Sequence, residues 1–324
     1  MRILVTGSAG HLGEALMRML PAAGHDPIGL DIEPGPHTDI VGSITDREVA
    51  YTATLGVDAI LHTATLHKPH VKTHSKAAFV ETNVAGTLAL LEAAAQHRIA
   101  RFVFTSTTSA FGAALNPAAD EPAAWIDESV APVPKNIYGV TKTAAEDLCA
   151  LFAREKGMAV TVLRTSRFFP EDDDDAAVRS RWSEPNIKAN EFLYRRVDIE
   201  DAAAAHLSAL GAGAGFARYV ISAPAPFAPS DAPALRRDPH AVVARLFPDY
   251  RRIYDAAGWE MLDTFDRVYD SRRAVAELGW RPRWDFAAIL RQVEAGAPIG
   301  SDLARSIGRK GYHDEVFAGG PFPV

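Results

Sequence analysis

Cysteine is almost absent: Cys149 stands alone in 324 residues. No disulfide can form within the chain, and no cysteine-built metal site is available. No apolar run approaches the roughly 18–20 residues that span a bilayer. Positive charge is not in excess either. With 34 basic against 41 acidic residues the formal net charge is −7, whereas a nucleic-acid partner demands concentrated positive charge. A small anionic ligand stays compatible, because it needs only a few local donors. Met1-Arg2 runs straight into Ile3-Leu4-Val5, so no leader peptide is expected and a cytoplasmic location is the default expectation.

What is present is a repeating pattern. Short apolar runs at 2–6, 26–31, 57–62, 101–105 and 159–164 read as strands. Between them, Leu12–Leu20, Ala77–Ala95 and Tyr138–Glu155 carry helical spacing. Continuously apolar strands alternating with helices predict an α/β fold, a doubly wound parallel sheet covered on both faces. After about residue 167 the pattern breaks down. Ala223–Pro239 reads as a loop, helices are expected at His240–Phe247, Ser271–Leu278 and Phe286–Glu294, and Gly296–Val324 shows little periodicity. The expected division is a dinucleotide-binding domain over 1–166 and a mainly substrate-binding region over 167–324, with elements such as 191–222 returning to the sheet.

Gly7-Ser8-Ala9-Gly10-His11-Leu12-Gly13 follows the first strand and opens the first helix. Gly7 permits a tight turn, Gly10 allows close approach to a pyrophosphate, and Gly13 lets helix pack on strand. The helix N-terminus offers free N–H groups to the phosphates. Asp31 closes the second strand 24 residues after Gly7. A carboxylate there accepts from ribose hydroxyls and repels a 2′-phosphate, so NAD is expected rather than NADP.

Tyr138 and Lys142 lie four apart, on one face of a helix. A free tyrosine is a poor base near neutrality, and a nearby ammonium stabilises its phenolate. Upstream, the strand at 101–105 runs into Ser106-Thr107-Thr108-Ser109. Those hydroxyls fall at the carboxyl end of a parallel strand, the usual ligand face.

Together these segments resemble the extended short-chain dehydrogenase/reductases, the group that holds sugar-nucleotide epimerases and dehydratases. The resemblance rests on residues 6–13, Asp31, Leu61-His62-Thr63-Ala64, Asn83-Val84-Ala85-Gly86-Thr87, the Phe104–Gly112 hydroxyl segment, Tyr138–Lys142 and Val197–Asp201. Leu278-Gly279-Trp280-Arg281-Pro282 echoes the family's C-terminal end. It implies that Tyr138 is the catalytic base, Lys142 its partner and a nicotinamide-ribose ligand, and Thr107 the hydroxyl that assists the tyrosine. It implies further cofactor contacts from Ala9, His11, Leu12, Ser43, Ile44, Thr63, Ala64, Thr65, Asn83, Thr105 and Thr165, with Asn83 buttressing the site. No metal is needed. A homodimer through the helices at 77–95 and 138–155 is the implied assembly.

The sequence also departs from that family. Arg167 stands where epimerases usually place a substrate-binding asparagine. It either binds a phosphate or carboxylate or pairs with the acidic run Asp172–Asp175. The arginine that grips a diphosphate has no clear counterpart; Arg195, Arg196, Arg251 and Arg252 are the candidates. His67 to His74 holds three histidines and reads as a solvated loop in which His67 or His70 touches substrate, with Thr108 beside it, rather than as a metal site. The acidic run lacks the glycine and distal glutamate of a calcium loop. His206 reads as core packing.

The expected function is C4 epimerisation of a nucleotide sugar, resembling UDP-hexose 4-epimerase. The alternative is an NAD-dependent dehydrogenase or reductase of a sugar, alcohol or hydroxy acid with net NADH turnover. A dehydratase usually adds an Asp-Glu pair after the threonine, and Thr108-Ser109 stand there instead. Intact Thr107, Tyr138 and Lys142 weigh against a non-catalytic NAD-binding protein.

Overall fold

A computed structural model describes residues 1–173 and 175–311. Seven strands form one parallel sheet: β1 (Arg2–Thr6), β2 (Asp26–Asp31), β3 (Ile40–Val41), β4 (Ala59–His62), β5 (Arg101–Thr107), β7 (Ala159–Thr165) and β8 (Phe216–Ile221). Their order is β3-β2-β1-β4-β5-β7-β8. Successive connections run one way from β1 and the other way from β4. The carboxyl ends of β1 and β4 therefore flank the switch point, where such sheets open a crevice for ligands. Two short strands, β6 (Ala124–Ile126) and β9 (Arg267–Tyr269), pair in a separate parallel ribbon.

Period-2 alternation sends Ile3 and Val5 to one face and Leu4 to the other. Both faces are covered, and all seven residues of β7 are buried. On one side lie α1 (His11–Met19), α8 (Ile199–Ala209) and α14 (Asp302–Ile307), packed with Leu61, Val103 and Leu163. On the other lie α2 (Arg47–Ala53), α4 (Gly86–Gln96) and α5 (Ile137–Lys156), packed with Ile60, Phe102 and Val160. The remaining helices are α3 (Lys76–Val80), α6 (Ala176–Arg181), α7 (Glu184–Glu191), α9 (Ala232–Arg237), α10 (Pro239–Leu246), α11 (Tyr250–Ala257), α12 (Arg272–Glu277) and α13 (Phe286–Glu294). A third core gathers Phe192, Leu193, Tyr254, Phe265 and Phe286 among α7, α9, α11 and α13.

Local chemistry sets the boundaries. The Asn136 side chain accepts from Gly139 N–H at 3.0 Å and starts α5; Gly157, with φ +67°, ends it. Asp198 caps α8 through Glu200 N–H at 2.8 Å and also receives the backbone N–H of Ser301 at 2.8 Å. Asp201 accepts from the N–H groups of Arg283 and Trp284, while the buried Trp280 indole donates to Asp201 O at 2.9 Å. The Val197–Asp201 segment thus ties the C-terminal region onto the sheet.

The doubly wound parallel sheet expected from the sequence is borne out. Several element readings need correction. The expected helix at 77–95 is α3 joined to α4 through a wider π turn, Glu81–Ala85. The strand at 101–105 extends to Thr107. The expected loop at 223–239 contains α9, and α14 lies within the C-terminal stretch. Helices α6, α7 and α11 were not anticipated. Asp174 of the acidic run and residues 312–324 lie outside the described residues. Among the described residues no helix is long and apolar enough to cross a membrane.

Candidate active site

A cleft of about 1880 Å³ opens over the carboxyl ends of the strands. Gly7 turns out of β1 with φ +73°, and a Cβ there would lie 2.7 Å from Ala64 N. At Gly13 a Cβ would stand 1.9 Å from Gly7 O, so only glycine lets α1 lie this close to β1. Gly10 caps α1 without any side-chain hydrogen bond. His11, Leu12 and Gly13 of that first turn line the cleft, where helix N-terminal N–H groups make the donor set a pyrophosphate requires. Asp31 lines the same cleft; its Oδ2 accepts from Ala9 N–H at 2.9 Å and its Oδ1 from Glu33 N–H at 3.0 Å. Ser43, Ile44, Thr63, Ala64, Thr65 and Thr165 line it too.

Tyr138 and Lys142 project from the first turns of α5, and Thr107 ends β5 beside them. The Thr107 hydroxyl accepts from Ser109 N–H at 3.0 Å and lies beside the Tyr138 phenol in the cleft. Burial pushes the phenol up to about 12, and the neighbouring Thr107 hydroxyl only partly opposes the rise. Burial also brings the Lys142 ammonium down to about 7, against the opposing pull of Cys149 and Glu146. Burial is the largest cause at both groups and drives each towards neutrality.

The other hydroxyls of the cluster have separate partners. Ser106 donates to Glu146 at 2.6 Å, and Thr165 donates to Ser106 O at 3.0 Å. Thr105 pairs with His206 Nε2 at 2.7 Å. His206 is fully buried, and burial lowers its ring to about 4. Glu146 is gripped at both oxygens by Arg164, at 3.0 and 2.7 Å, beneath the catalytic face of α5. Asn83 does not face the cleft. Its Oδ1 accepts from Thr65 Oγ1 and Leu66 N–H, and its Nδ2 donates to Leu66 O and Thr141 Oγ1, all within 3.0 Å.

At the far end of the cleft His67 and His70 line the wall, with ring centroids 4.7 Å apart, and His67 meets Phe169 at 5.2 Å. Among the described residues no group of three or more His, Cys, Asp or Glu side chains is placed to hold a metal ion. Arg167 takes its ion-pair alternative: it pairs with Asp173 and, at 2.8 Å, with Glu191. Arg195 reaches Glu191 at 3.0 Å and Arg196 reaches it at 2.7 Å. Burial by itself would raise the Glu191 carboxyl, but the three guanidiniums hold it at about 2. Glu191 was not anticipated, nor was Arg267, which lines the cleft and pairs with Asp266. Arg251 and Arg252 do not reach the cleft. Arg251 borders a smaller hollow with Tyr250 and Trp259, and Arg252 pairs with Glu294 at 2.6 Å.

Residues 3–221 match the model of the NAD dependent epimerase/dehydratase family. The chain belongs to that family. The resemblance drawn from the motifs is therefore borne out. Curated relatives in the family differ in activity. The chain is 33% identical over 192 residues to a dTDP-glucose 4,6-dehydratase of Streptomyces niveus, covering 52% of this chain and 55% of the relative. It is 32% identical over 197 residues to a UDP-glucose 4-epimerase of Rhizobium meliloti, covering 58% and 57%. It is 29% identical over 179 residues to a uronate dehydrogenase of Pseudomonas putida, covering 52% and 62%. The chain thus spans a little over half the length of the first two relatives. Among solved structures, a UDP-glucose 4-epimerase from Thermotoga maritima, solved with UDP-glucose, aligns with a TM-score of 0.64 at 21% identity, over 91% of this chain and 98% of that one. A short-chain dehydrogenase/reductase superfamily protein from Agrobacterium tumefaciens with bound NAD aligns at 0.63 and 23% identity, over 94% and 97%. At such identities the two alignments speak to the fold.

Proposed function

We propose that this protein binds NAD and epimerises a nucleotide sugar at C4. The carrying observation is the placement of Thr107, at the carboxyl end of β5, beside Tyr138 and Lys142 of α5, in the same cleft as the glycine loop and the N-terminus of α1. When bound, NAD supplies a reversible hydride acceptor, so that an alcohol carbon can pass through a ketone and return. The chain's own residues handle the proton. Tyr138 Oη takes it from the substrate hydroxyl and later returns it. Thr107 donates to the same oxygen and steadies its negative charge, and Lys142 supplies positive charge from the next turn of α5. The glycine loop holds the pyrophosphate and Asp31 the adenosine ribose. Cleft size supports a second ligand: about 1880 Å³ exceeds the roughly 300–1,000 Å³ of a site for one drug-sized molecule.

A second reading is net dehydrogenation of an alcohol, aldose or hydroxy acid. It is favoured by one observation: Arg167, Arg195 and Arg196 are already paired with Glu191. A diphosphate would have to draw one of them away. Purified protein incubated with UDP-glucose and NAD is expected to yield UDP-galactose without accumulating NADH. Steady NADH formation with a free sugar or hydroxy acid, and no sugar interconversion, would replace the first reading by the second.

A further inference from the structure

The motif residue His62 ends β4 and lies fully inside the protein. Its Nδ1 is 2.7 Å from Thr6 Oγ1, on β1 just before the glycine loop. Its Nε2 is 2.9 Å from Thr87 Oγ1, on α4. The proton positions along this chain follow from the end groups. Thr87 spends its only hydroxyl proton on Asn83 O, at 2.7 Å, and a carbonyl cannot donate. Thr87 must then accept from His62, so Nε2 carries the hydrogen. Burial, reinforced by the charge on Lys142, holds the ring well below the usual histidine value and keeps it neutral. Nδ1 is therefore bare and accepts from Thr6, whose oxygen receives Ala64 N–H at 3.3 Å.

Beyond Thr87 the link passes through Asn83 itself: its backbone carbonyl receives Thr87, and its side chain carries the contacts onward. Asn83 is fixed in orientation because Leu66 N–H binds its Oδ1 and Leu66 O binds its Nδ2, both at 2.8 Å. Its Nδ2 also donates at 3.0 Å to Thr141, the residue before Lys142. Thr141 in turn donates to the carbonyls of Ile137 and Tyr138, at 2.9 and 3.1 Å. Donation runs in one sense, from Ala64 N–H through Thr6 and His62 to Thr87 and the Asn83 carbonyl, and from the Asn83 side chain to Thr141; it links the strand that carries the cofactor loop to the first turn of α5.

We propose that His62, held as the neutral Nε2–H tautomer between Thr6 and Thr87, is a positioning residue that fixes Asn83 and through it the first two turns of α5, where Tyr138 and Lys142 stand. The ring suits this task because it presents a donor and an acceptor at opposite ends in a rigid frame. A protonated ring would aim a second donor at Thr6 and add like charge near Lys142. The inference rests on Tyr138 and Lys142 being the reacting pair, and is independent of which substrate they serve.

The test uses the full chain saturated with NAD. Nitrogen-15 NMR of the histidine rings should assign His62 to the Nε2–H form, unchanged between pH 5 and pH 9. The Tyr138 phenol is then titrated by ultraviolet difference against Tyr138→Phe, in wild type, Thr87→Val and His62→Phe. Both variants should move the midpoint, and with any turned-over substrate they should lower kcat by roughly 10- to 100-fold while leaving KM near wild type. His62→Gln, which keeps a donor towards Thr87, should recover most of the loss. The double variant should be no worse than the poorer single one. The proposal is overturned if His62 adopts the Nδ1–H form or titrates in that range, or if both variants fold with an unchanged Tyr138 midpoint. Because the spectroscopic arms need no substrate, they stand even if the epimerase reading fails.

Discussion

The Lys142 ammonium lies 4.0 Å from the centroid of the Phe104 ring, which also meets the His62 ring at 5.5 Å. A cation held against an aromatic face in a dry interior keeps part of its lost hydration, yet burial still brings Lys142 to about 7 from 10.5. Below about pH 7 it is charged in both folded and unfolded chains, and the fold carries the full desolvation cost. Between about 7 and 10.5 only the unfolded chain keeps the proton, so stability climbs with pH. Lys142→Met is therefore expected to stabilise the protein at pH 6 by a few kcal/mol, with the gain fading towards pH 10. Thermal melts across that range, without added cofactor, check both sign and trend; a constant or rising gain would contradict it.

Removing the phenolic oxygen should separate chemistry from binding. Tyr138→Phe is expected to lower turnover by about 10²- to 10⁴-fold while NAD affinity, read by calorimetry, stays near wild type. Thr107→Val should cost less turnover and raise the Tyr138 midpoint further, since Thr107 opposes that rise. Activity in Tyr138→Phe close to wild type would reassign the base.

Glu191 carries an acid-side dependence of the opposite sign. Its carboxyl is held at about 2 against an ordinary 4.5. The stability it contributes is present above about 4.5 and is lost as pH falls towards 2, a change on the order of 3 kcal/mol. Glu191→Gln should destabilise the protein near neutrality and flatten its stability between pH 4.5 and pH 2. Parallel denaturation curves for the two proteins over that range would refute the pairing.

The close approach of α1 to β1 predicts a steric effect on cofactor affinity. Gly13→Ala brings a methyl into Gly7 O, which must shift the loop; a destabilisation of about 1–3 kcal/mol or more follows from such overpacking. NAD affinity should fall by at least about tenfold, the equivalent of 1.4 kcal/mol. Unaltered affinity would mean that the loop is not the pyrophosphate seat.

Sequence legibility varied with what lies in the core. Five of the seven parallel strands were readable from their short apolar runs, and α5 from helical spacing over 138–155. The glycine loop was readable because its three glycines meet distinct steric demands. Helix α7 escaped notice because its buried stripe is polar: Asn186, Asn190 and Glu191 face inward, and both asparagines donate to Glu260 O at 2.9 Å. An amphipathic pattern cannot reveal a helix whose inner face is hydrophilic. Helix α11 did carry a signal, since Tyr250, Ile253 and Tyr254 sit at helical spacing and are buried. The π turn that presents Asn83 leaves no periodic mark, for it spans one turn only. Arg167 posed an either-or question that sequence alone left open, because its answer depends on Glu191 arriving from another helix.

Glu191 meets three guanidiniums, a surplus of partners for one carboxylate. Such a surplus makes the arginines lendable. An incoming anion that recruited Arg195, one of these three guanidiniums lining the cleft, would leave Glu191 still bound by Arg167 and Arg196. The carboxylate is never stranded, so partner exchange avoids the several kcal/mol that an orphaned buried charge costs. The three ion pairs thus give the Glu191 carboxylate more than one route to compensation within the fold.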